Sequence, residues 1–537
     1  MMDEQRIIVR NLSLTGWACF LLVLVYLLPE VAVKGPYGMH QWRQCDAYSL
    51  AVNYFQEDRS MAEPIMHFVH GSANGEAVGE FTGTYWLNAQ LWKAIGFHPW
   101  TMRWTHLLLW LAGLVSLYLL GREWIGWKAS AWVVSLVMVS PLMTYYGPNY
   151  LVNGAGLGLV YVGWWWAYRL NRNGEWKALL IAVAALCLAL LFRPTMAIGF
   201  APLGLAFFRT RYKWQWMVLL LLPILVAGSW VAWSQSYNAR MQSLYFCTTI
   251  RPIWESADPL VTWRTFREMM VPQWYHRFVL WSGVIGVLSG SVLMWRNLEL
   301  TLQSKRAYLG ISALILVFAL LAYFLLWFSN LDVHDYYLIE FQLAVPVVLA
   351  WLFYKPEQWL LHARTRWALL TLALPFLLLF QSVESSLRTR MKHAELHGWL
   401  SEQFIPARER EVWNWFHWDY ERRLGSISGL KEHLRSLGIE RQDRVMSVPD
   451  PSSNITLSLM DVKGFTDLYD DAFSGDERIA HYVARGATVL VCNDDDWWEN
   501  HAGSPWLTAP LSGYQSFRLF DLVASEAFVD SLLISKP

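Results

Sequence analysis

Apolar residues along this chain fall in long uninterrupted blocks separated by short charged links, and only the last third gives way to shorter alternating segments. Blocks of about 18 or more apolar residues match a hydrocarbon core roughly 30 Å thick, which marks them as membrane spans. They predict spans at about 14–33, 104–121, 128–146, 150–168, 177–192, 195–209, 214–234, 278–296, 307–328, 336–354 and 366–383. The expected fold is an all-α polytopic membrane bundle of about eleven transmembrane helices. An odd number of spans puts the two termini on opposite sides.

The links supply the orientation. Arg6 and Arg10, Arg122 and Lys128, Arg169, Arg172 and Lys177, Arg209, Arg211 and Lys213, Arg296, Lys305 and Arg306, and Lys355, Arg364 and Arg366 all fall on one side, which their positive charge assigns to the cytoplasm. The N-terminus is then cytoplasmic, while loop 34–103, a loop at about 235–276 and the tail 385–537 are external. Two domains are expected: a transmembrane module at 1–383, whose external loop 34–103 carries interfacial helices, and an external soluble domain at 384–537. The boundary is a drop in hydropathy with the charged run Arg388, Arg390, Lys392 and Glu395.

Within the tail, the spacing predicts a helix around 403–423 and a second over Ser428–Gly438 that ends at its glycine. Arg444–Val448 reads as a strand, followed by the turn Pro449–Ser453. A helix at about 475–485 precedes the continuous apolar run Ala487–Cys492, which suits a buried parallel strand. With the late Phe517–Phe520, these segments predict a small α/β unit.

Composition agrees with a membrane protein, since 55% of residues are hydrophobic and only 16% charged. The net charge of zero says little about partners, because the asymmetry across the membrane is the signal, and no nucleic-acid partner is expected. The first span has a short basic segment before it and lacks a small-residue cleavage pattern, so it reads as a retained signal anchor. Five cysteines are too scattered for a disulfide framework, although Cys45, Cys247 and Cys492 are all expected outside, where one pair can close if the compartment oxidises.

Polar chemistry gathers in the first external loop, where Gln41–Phe55 follows His40. In a helix, Trp42, Cys45, Ser49 and Val52 share one stripe, and Asp46 and Asn53 another, with Tyr48 extending the apolar surface. Such a segment is expected to lie along the interface. The bland alternative for Asp46 is an i, i+3 surface ion pair with Arg43. About thirty-five residues on, Glu80 opens Glu80–Gln90, a polar turn that passes into an apolar helix containing Tyr85, Trp86 and Trp92. Its bland alternative is an acid at a helix start. Together Asp46 and Glu80 are the types that bind a divalent metal, orient a sugar or take a proton from a hydroxyl nucleophile.

Further along, Arg193 in Leu191–Thr195 falls at the external end of one span, where a cation needs a partner or must snorkel to the headgroups. His334, Asp335, Tyr336 and Tyr337 stand in the short loop before the tenth span and suit sugar hydroxyls or a phosphate, or else an aromatic belt. Tyr145, Tyr146, Asn149, Tyr150 and Asn153 form another external cluster.

The acid followed by an aromatic interfacial helix, then Glu80-Phe81 leading to Tyr85-Trp86-Leu87, resembles the GT-C membrane glycosyltransferases. The branch it is most similar to contains the protein mannosyltransferases and the lipid A aminoarabinose transferase. The resemblance covers about 10–350, most clearly 40–95. Many relatives have two adjacent acids at the first position and Lys-Pro after the glutamate-aromatic pair, whereas this chain has Cys45-Asp46 and Thr82-Gly83.

The resemblance implies a GT-C bundle with its C-terminal external domain, and inverting transfer of a sugar from a polyprenyl-phosphate-linked donor to a glycan, lipid or protein acceptor at the external face. Asp46 becomes the base and Glu80 its partner. Arg193 becomes the lipid-phosphate ligand, with Arg43 and His334 in support, because relatives carry a cation at this turn. Tyr48, Tyr85, Asp335, Tyr336 and Tyr337 become substrate contacts. The residue types leave a divalent metal at Asp46 and Glu80 as the one cofactor candidate, and the departure at Cys45-Asp46 weakens it. The setting expected is an integral protein of a bacterial inner membrane. The competing class is a transporter or flippase of a lipid-linked glycan, which predicts internal repeats or broken helices at the midplane that the sequence lacks.

Overall fold

A computed structural model describes residues 2–69, 75–243, 250–296, 304–332, 334–354, 365–394, 403, 405–468 and 475–527. The chain is 71% helical with one small sheet near its C-terminus. By contacts it divides into two units. The first comprises Met1–Lys34, Trp100–Ala232 and Thr248–Ile405, and the second Gly35–Pro99, Trp233–Cys247 and Pro406–Pro537. Lys355, Arg364, Glu395 and Cys247 lie outside the described residues, as do the side chains of Arg6, Arg10, Arg296, Arg366, Arg390 and Lys392.

The first unit is built of apolar helices. Four helices among the described residues are long and apolar enough to cross a membrane: Thr101–Ile125, Lys213–Arg240, Lys305–Leu326 and the continuous helical segment Asp335–Leu352. Shorter apolar helices include Trp127–Met138, Trp176–Phe192 and Pro194–Phe207. Three expected spans take a different local form. The block at 14–33 breaks after Leu24, where Leu27 adopts φ +48° ahead of the short Leu28–Val31 helix. The block at 128–146 is two helices, because Ser140 is extended and Pro141 starts a new helix at the position where a missing N–H costs nothing. The block at 195–209 opens with a 3-10 turn, Pro194–Gly199, set by the proline after extended Arg193.

Helices Thr101–Ile125 and Asn153–Asn173 pack at backbone contact where Gly113 meets Gly158. A Cβ on Gly113 would stand 2.3 Å from the Gly158 Cα, and one on Gly158 would stand 2.5 Å from the Leu109 carbonyl oxygen. Only small residues let two membrane helices approach so closely. The second of these helices ends at Gly174, which takes φ +69° and terminates it in left-handed backbone.

The second unit contains a five-stranded sheet in the order β2-β1-β3-β5-β4, with β1 Arg444–Val448, β2 Lys463–Phe465, β3 Ala487–Cys492, β4 Pro510–Tyr514 and β5 Phe517–Asp521. β1 runs parallel to β2 and β3, and β5 runs antiparallel to β3 and β4. Alternate residues serve the two faces. Val445, Val489, Val491 and Leu519 join one core, and Met446, Leu490, Cys492 and Phe520 the other. The expected strands at 444–448 and 487–492 are present at those residues, and the capped helix is observed as Ile427–Ser436 with Gly438 at φ +79°.

The first loop is part of this unit. The Val69 N–H donates to the Gly464 carbonyl and the Gly464 N–H to that of His67, so the loop joins the edge at β2. Phe68 and Val69 enter opposite cores of the sheet.

Candidate functional site

In the second unit, the Gln41–Gln56 helix carries Arg43 and Asp46 one turn apart. The Arg43 guanidinium donates to Asp46 Oδ2 at 3.3 Å and, with its other nitrogen, to Glu80 Oε1. Tyr85, from the Gly83–Ile95 helix, donates its hydroxyl to Glu80 Oε2 at 2.7 Å. Burial and the Glu80 charge hold the Tyr85 phenol well above its ordinary range, so it stays a donor. Tyr48 is half-buried and stands edge-on to Trp92. The two carboxylates thus stand on either side of one cation, the Arg43 guanidinium. No group of three or more His, Cys, Asp or Glu suited to a metal occurs among the described residues.

The i, i+3 pair of Arg43 and Asp46 exists but is not a surface pair, because the Asp46 side chain is only 2% exposed against 16% for Glu80. Asp46 Oδ1 also accepts from the Ser453 hydroxyl at 2.7 Å and from the Asn454 amide at 2.9 Å. Ser453 and Asn454 follow the C-terminal end of β1, whose neighbours β2 and β3 lie on either side. In open α/β sheets that reversal of strand order creates the crevice where ligands bind. Here the Gln41–Gln56 helix presents Asp46 to the residues at that strand end.

A second polar group pins the far end of the same helix. Ser49 Oγ lies 2.8 Å from His67 Nδ1, and His67 Nε2 lies 3.1 Å from Asp461 Oδ1. Arg441 donates to Asp461 at 2.9 Å, to Glu57 at 2.6 Å and to Asn53. Burial lowers His67 to about 4 against the opposing pull of Asp461, so the imidazole is neutral at neutral pH. Burial works against the Glu57 charge, yet hydrogen bonds from Lys463, Arg441 and Arg59 hold its carboxyl at about 2. The Ser49, His67 and Asp461 order resembles a nucleophile relay, but Ser49 and His67 are 0% exposed and the Ser49 hydroxyl also accepts from the His67 N–H. It is a structural lock.

In the first unit, Arg193 ends the Trp176–Phe192 helix in extended backbone. It is not a snorkelling cation. Its side chain is 12% exposed, and Nη2 lies 3.3 Å from Oε1 of Glu340, which is fully buried. The Thr195 hydroxyl donates to the same oxygen at 2.5 Å, and the guanidinium stands 5.0 Å from the Tyr337 ring centroid and 5.9 Å from that of Tyr336. Glu340 escaped the sequence reading, although an acid inside the apolar run 336–354 is itself a signal.

The segment expected to be a loop before the tenth span is instead a 3-10 helix, Asp335–Leu343, continuous with Ala344–Leu352. That winding turns Asp335, Tyr336 and Tyr337 inward. The Tyr146 hydroxyl donates to Asp335 at 2.5 Å, Asn153 lies 3.5 Å from the Tyr336 carbonyl, and His334 stacks on Tyr336 with ring centroids 5.0 Å apart. The aromatic cluster at 145–153 and the 334–337 segment, read separately from sequence, therefore meet. Cys45 and Cys492 are free thiols, and burial raises both above the ordinary thiol range.

Neither a protein-family model nor a curated protein sequence matches the chain. Solved structures do. ArnT from Cupriavidus metallidurans bound to undecaprenyl phosphate is similar with a TM-score of 0.55 and 13% identity, over 95% of this chain and 99% of that one. The same protein in its apo state gives a TM-score of 0.53 and 11% identity, over 96% and 99%. The Archaeoglobus fulgidus oligosaccharyltransferase, in complex with Zn and sulfate, gives 0.49 and 13%, over 88% of this chain and 67% of that one. The likeness to ArnT establishes a GT-C fold running through both units.

Proposed function

We propose that this chain is a glycosyltransferase that moves a sugar from a polyprenyl-phosphate-linked donor to an acceptor hydroxyl at the external membrane face. The observation that carries the reading is the fold shared with ArnT, whose structure holds undecaprenyl phosphate. The two polar groups support it, and each is assigned and tested by itself.

The acceptor oxygen attacks the anomeric carbon, its proton passes to a carboxylate, and the sugar–phosphate bond breaks with its electron pair leaving on the phosphate. A single displacement of this kind inverts the anomeric centre. The sequence put the base at Asp46. We put it at Glu80, because Asp46 is 2% exposed and three donors converge on it, whereas Glu80 keeps an exposed edge. Asp46 then acts as a positioning residue that holds Arg43 against Glu80.

A monophosphate leaving group needs little protonation, so a preorganised cation should contribute more than a general acid. Arg193 is that cation, anchored by Glu340 and by the ring faces of Tyr336 and Tyr337. His334 and Asp335 border the same aromatic surface and are assigned to the donor.

The test is release of polyprenyl monophosphate by the purified protein from lipid-linked sugars. Glu80→Gln is expected to reduce it by about 10²–10⁴, the usual range for a general base. Asp46→Asn is expected to reduce it less and to leave the pH dependence of the residual rate in place. The reverse order of the two effects would return the base to Asp46.

A further inference from the structure

A cavity of about 340 Å³ lies inside the first unit, within the size range of small-molecule sites. Leu117, Val133, Leu203 and Val347 contribute to its apolar wall. It is not the Arg193 group seen from another side. The Asn153–Asn173 helix has Asn153 beside the Tyr336 carbonyl at one end, while Tyr168 and Asn171 line the cavity. Those residues lie fifteen to eighteen positions further on, or about 22–27 Å along the helix axis.

Two cations stand among the residues that line the cavity. Arg209 lies over the Tyr308 ring at 5.2 Å, and Lys305 reaches the Glu123 carbonyl at 3.2 Å and the Trp124 ring at 5.6 Å. No Asp or Glu is among the described residues that line it. Trp216, only 1% exposed, and Trp124 also line it, and the indole N–H of each is buried with no hydrogen-bond partner among the described residues. Arg209 and Lys305 also belong to the links that the positive-inside pattern assigns to the cytoplasm.

We propose that this cavity binds an anionic phospholipid of the cytoplasmic leaflet, with an acyl chain along the apolar wall and the phosphate against Arg209 and Lys305. An apolar slot beside two cations is complementary to such an amphiphile, whereas a neutral lipid leaves the cations unused and a free anion leaves the slot empty. Basic pockets between helices on this side of a membrane capture headgroups by the same combination of charge and depth.

Native mass spectrometry of the full-length protein in detergent tests the assignment after incubation with phosphatidylglycerol, phosphatidylcholine or inorganic phosphate. One phosphatidylglycerol should be retained, with about a thirtyfold preference over phosphatidylcholine for two charge contacts. The double variant R209Q/K305Q should lose that preference, and Ala206→Trp, which fills the slot and leaves both cations, should retain neither lipid. The double variant R193M/E340M, which removes the other cation together with its buried carboxylate, should bind phosphatidylglycerol as the unaltered protein does. Equal retention by the unaltered protein and both cavity variants, loss in R193M/E340M, or retention of inorganic phosphate alone would overturn the assignment.

Discussion

Arg193 and Glu340 pose the clearest energetic question at the level of single residues, because a fully buried carboxylate is tolerated only while its cation remains. Glu340→Met should lower stability by about 3 kcal/mol or more, since it strands a guanidinium that is only 12% exposed. Adding Arg193→Met should recover most of that stability while lipid-phosphate release stays lost. Thermal melts of the single and double variants check this, and a double variant as unstable as the single one would show that the pair is not the stabilising unit. Asp46 asks a similar question in the second unit. Asp46→Ala removes one acceptor shared by Ser453, Asn454 and Arg43, the last of which keeps Glu80, and should cost about 2–3 kcal/mol, whereas Asp46→Asn keeps an acceptor and should cost less. Residue types were legible in the sequence and their partners were not. Asp46 and Arg193 stood out because charges next to apolar blocks are expensive, but nothing local announced that Asp46 would be received by Ser453 and Asn454, four hundred positions away.

At the scale of elements, the sequence was most readable where periodicity was strict. The apolar run Ala487–Cys492 and the short segment Arg444–Val448 ahead of its proline turn produced β3 and β1, while β2 has three residues and no pattern long enough to detect. The tenth span is a continuous helical segment, Asp335–Leu352, but the residues at its start misled for a physical reason. Polar Asp335 and two tyrosines look like a loop until the 3-10 winding turns them toward Tyr146 and Arg193. The Gly113–Gly158 crossing yields a direct test, since Gly158→Val would drive a side chain into the Leu109 carbonyl. That variant should lower the melting temperature by several degrees or fail to accumulate, and an unchanged melt would mean the two helices are free to separate.

The lock at the end of the Gln41–Gln56 helix predicts an acid response. His67 sits at about 4 in the fold and near 6.5 when unfolded, so the unfolded chain binds more protons between those values. Its neutral-site stability is complete above pH 6.5 and is lost as pH falls toward 4, by about 3 kcal/mol. Glu57, held at about 2, loses its contribution lower, between about pH 4.5 and 2. Melts across pH 7 to 4 should therefore show a falling midpoint for the second unit, and His67→Gln should flatten that slope. A variant that keeps the full slope would remove His67 as its source.

Considered as a whole molecule, the chain divides by packing rather than by hydropathy. Hydropathy separated 1–383 from the tail, whereas Gly35–Pro99 packs with Pro406–Pro537 because Phe68 and Val69 are core residues of the sheet and His67 is hydrogen-bonded to its edge. Apolar content sees only the preference for lipid, and a loop that completes a distant sheet leaves no such trace. The GT-C fold was legible through the family resemblance of Asp46 and of Glu80-Phe81 leading to Tyr85-Trp86-Leu87, not through any rule of packing. The most direct measurement follows polyprenyl monophosphate released from a panel of hexosyl and pentosyl polyprenyl phosphates, each with acceptor, by the purified protein and by Glu80→Gln. The account predicts release from at least one donor and a loss of about 10² or more in the variant. No release from any donor, or equal release by both proteins, would contradict it.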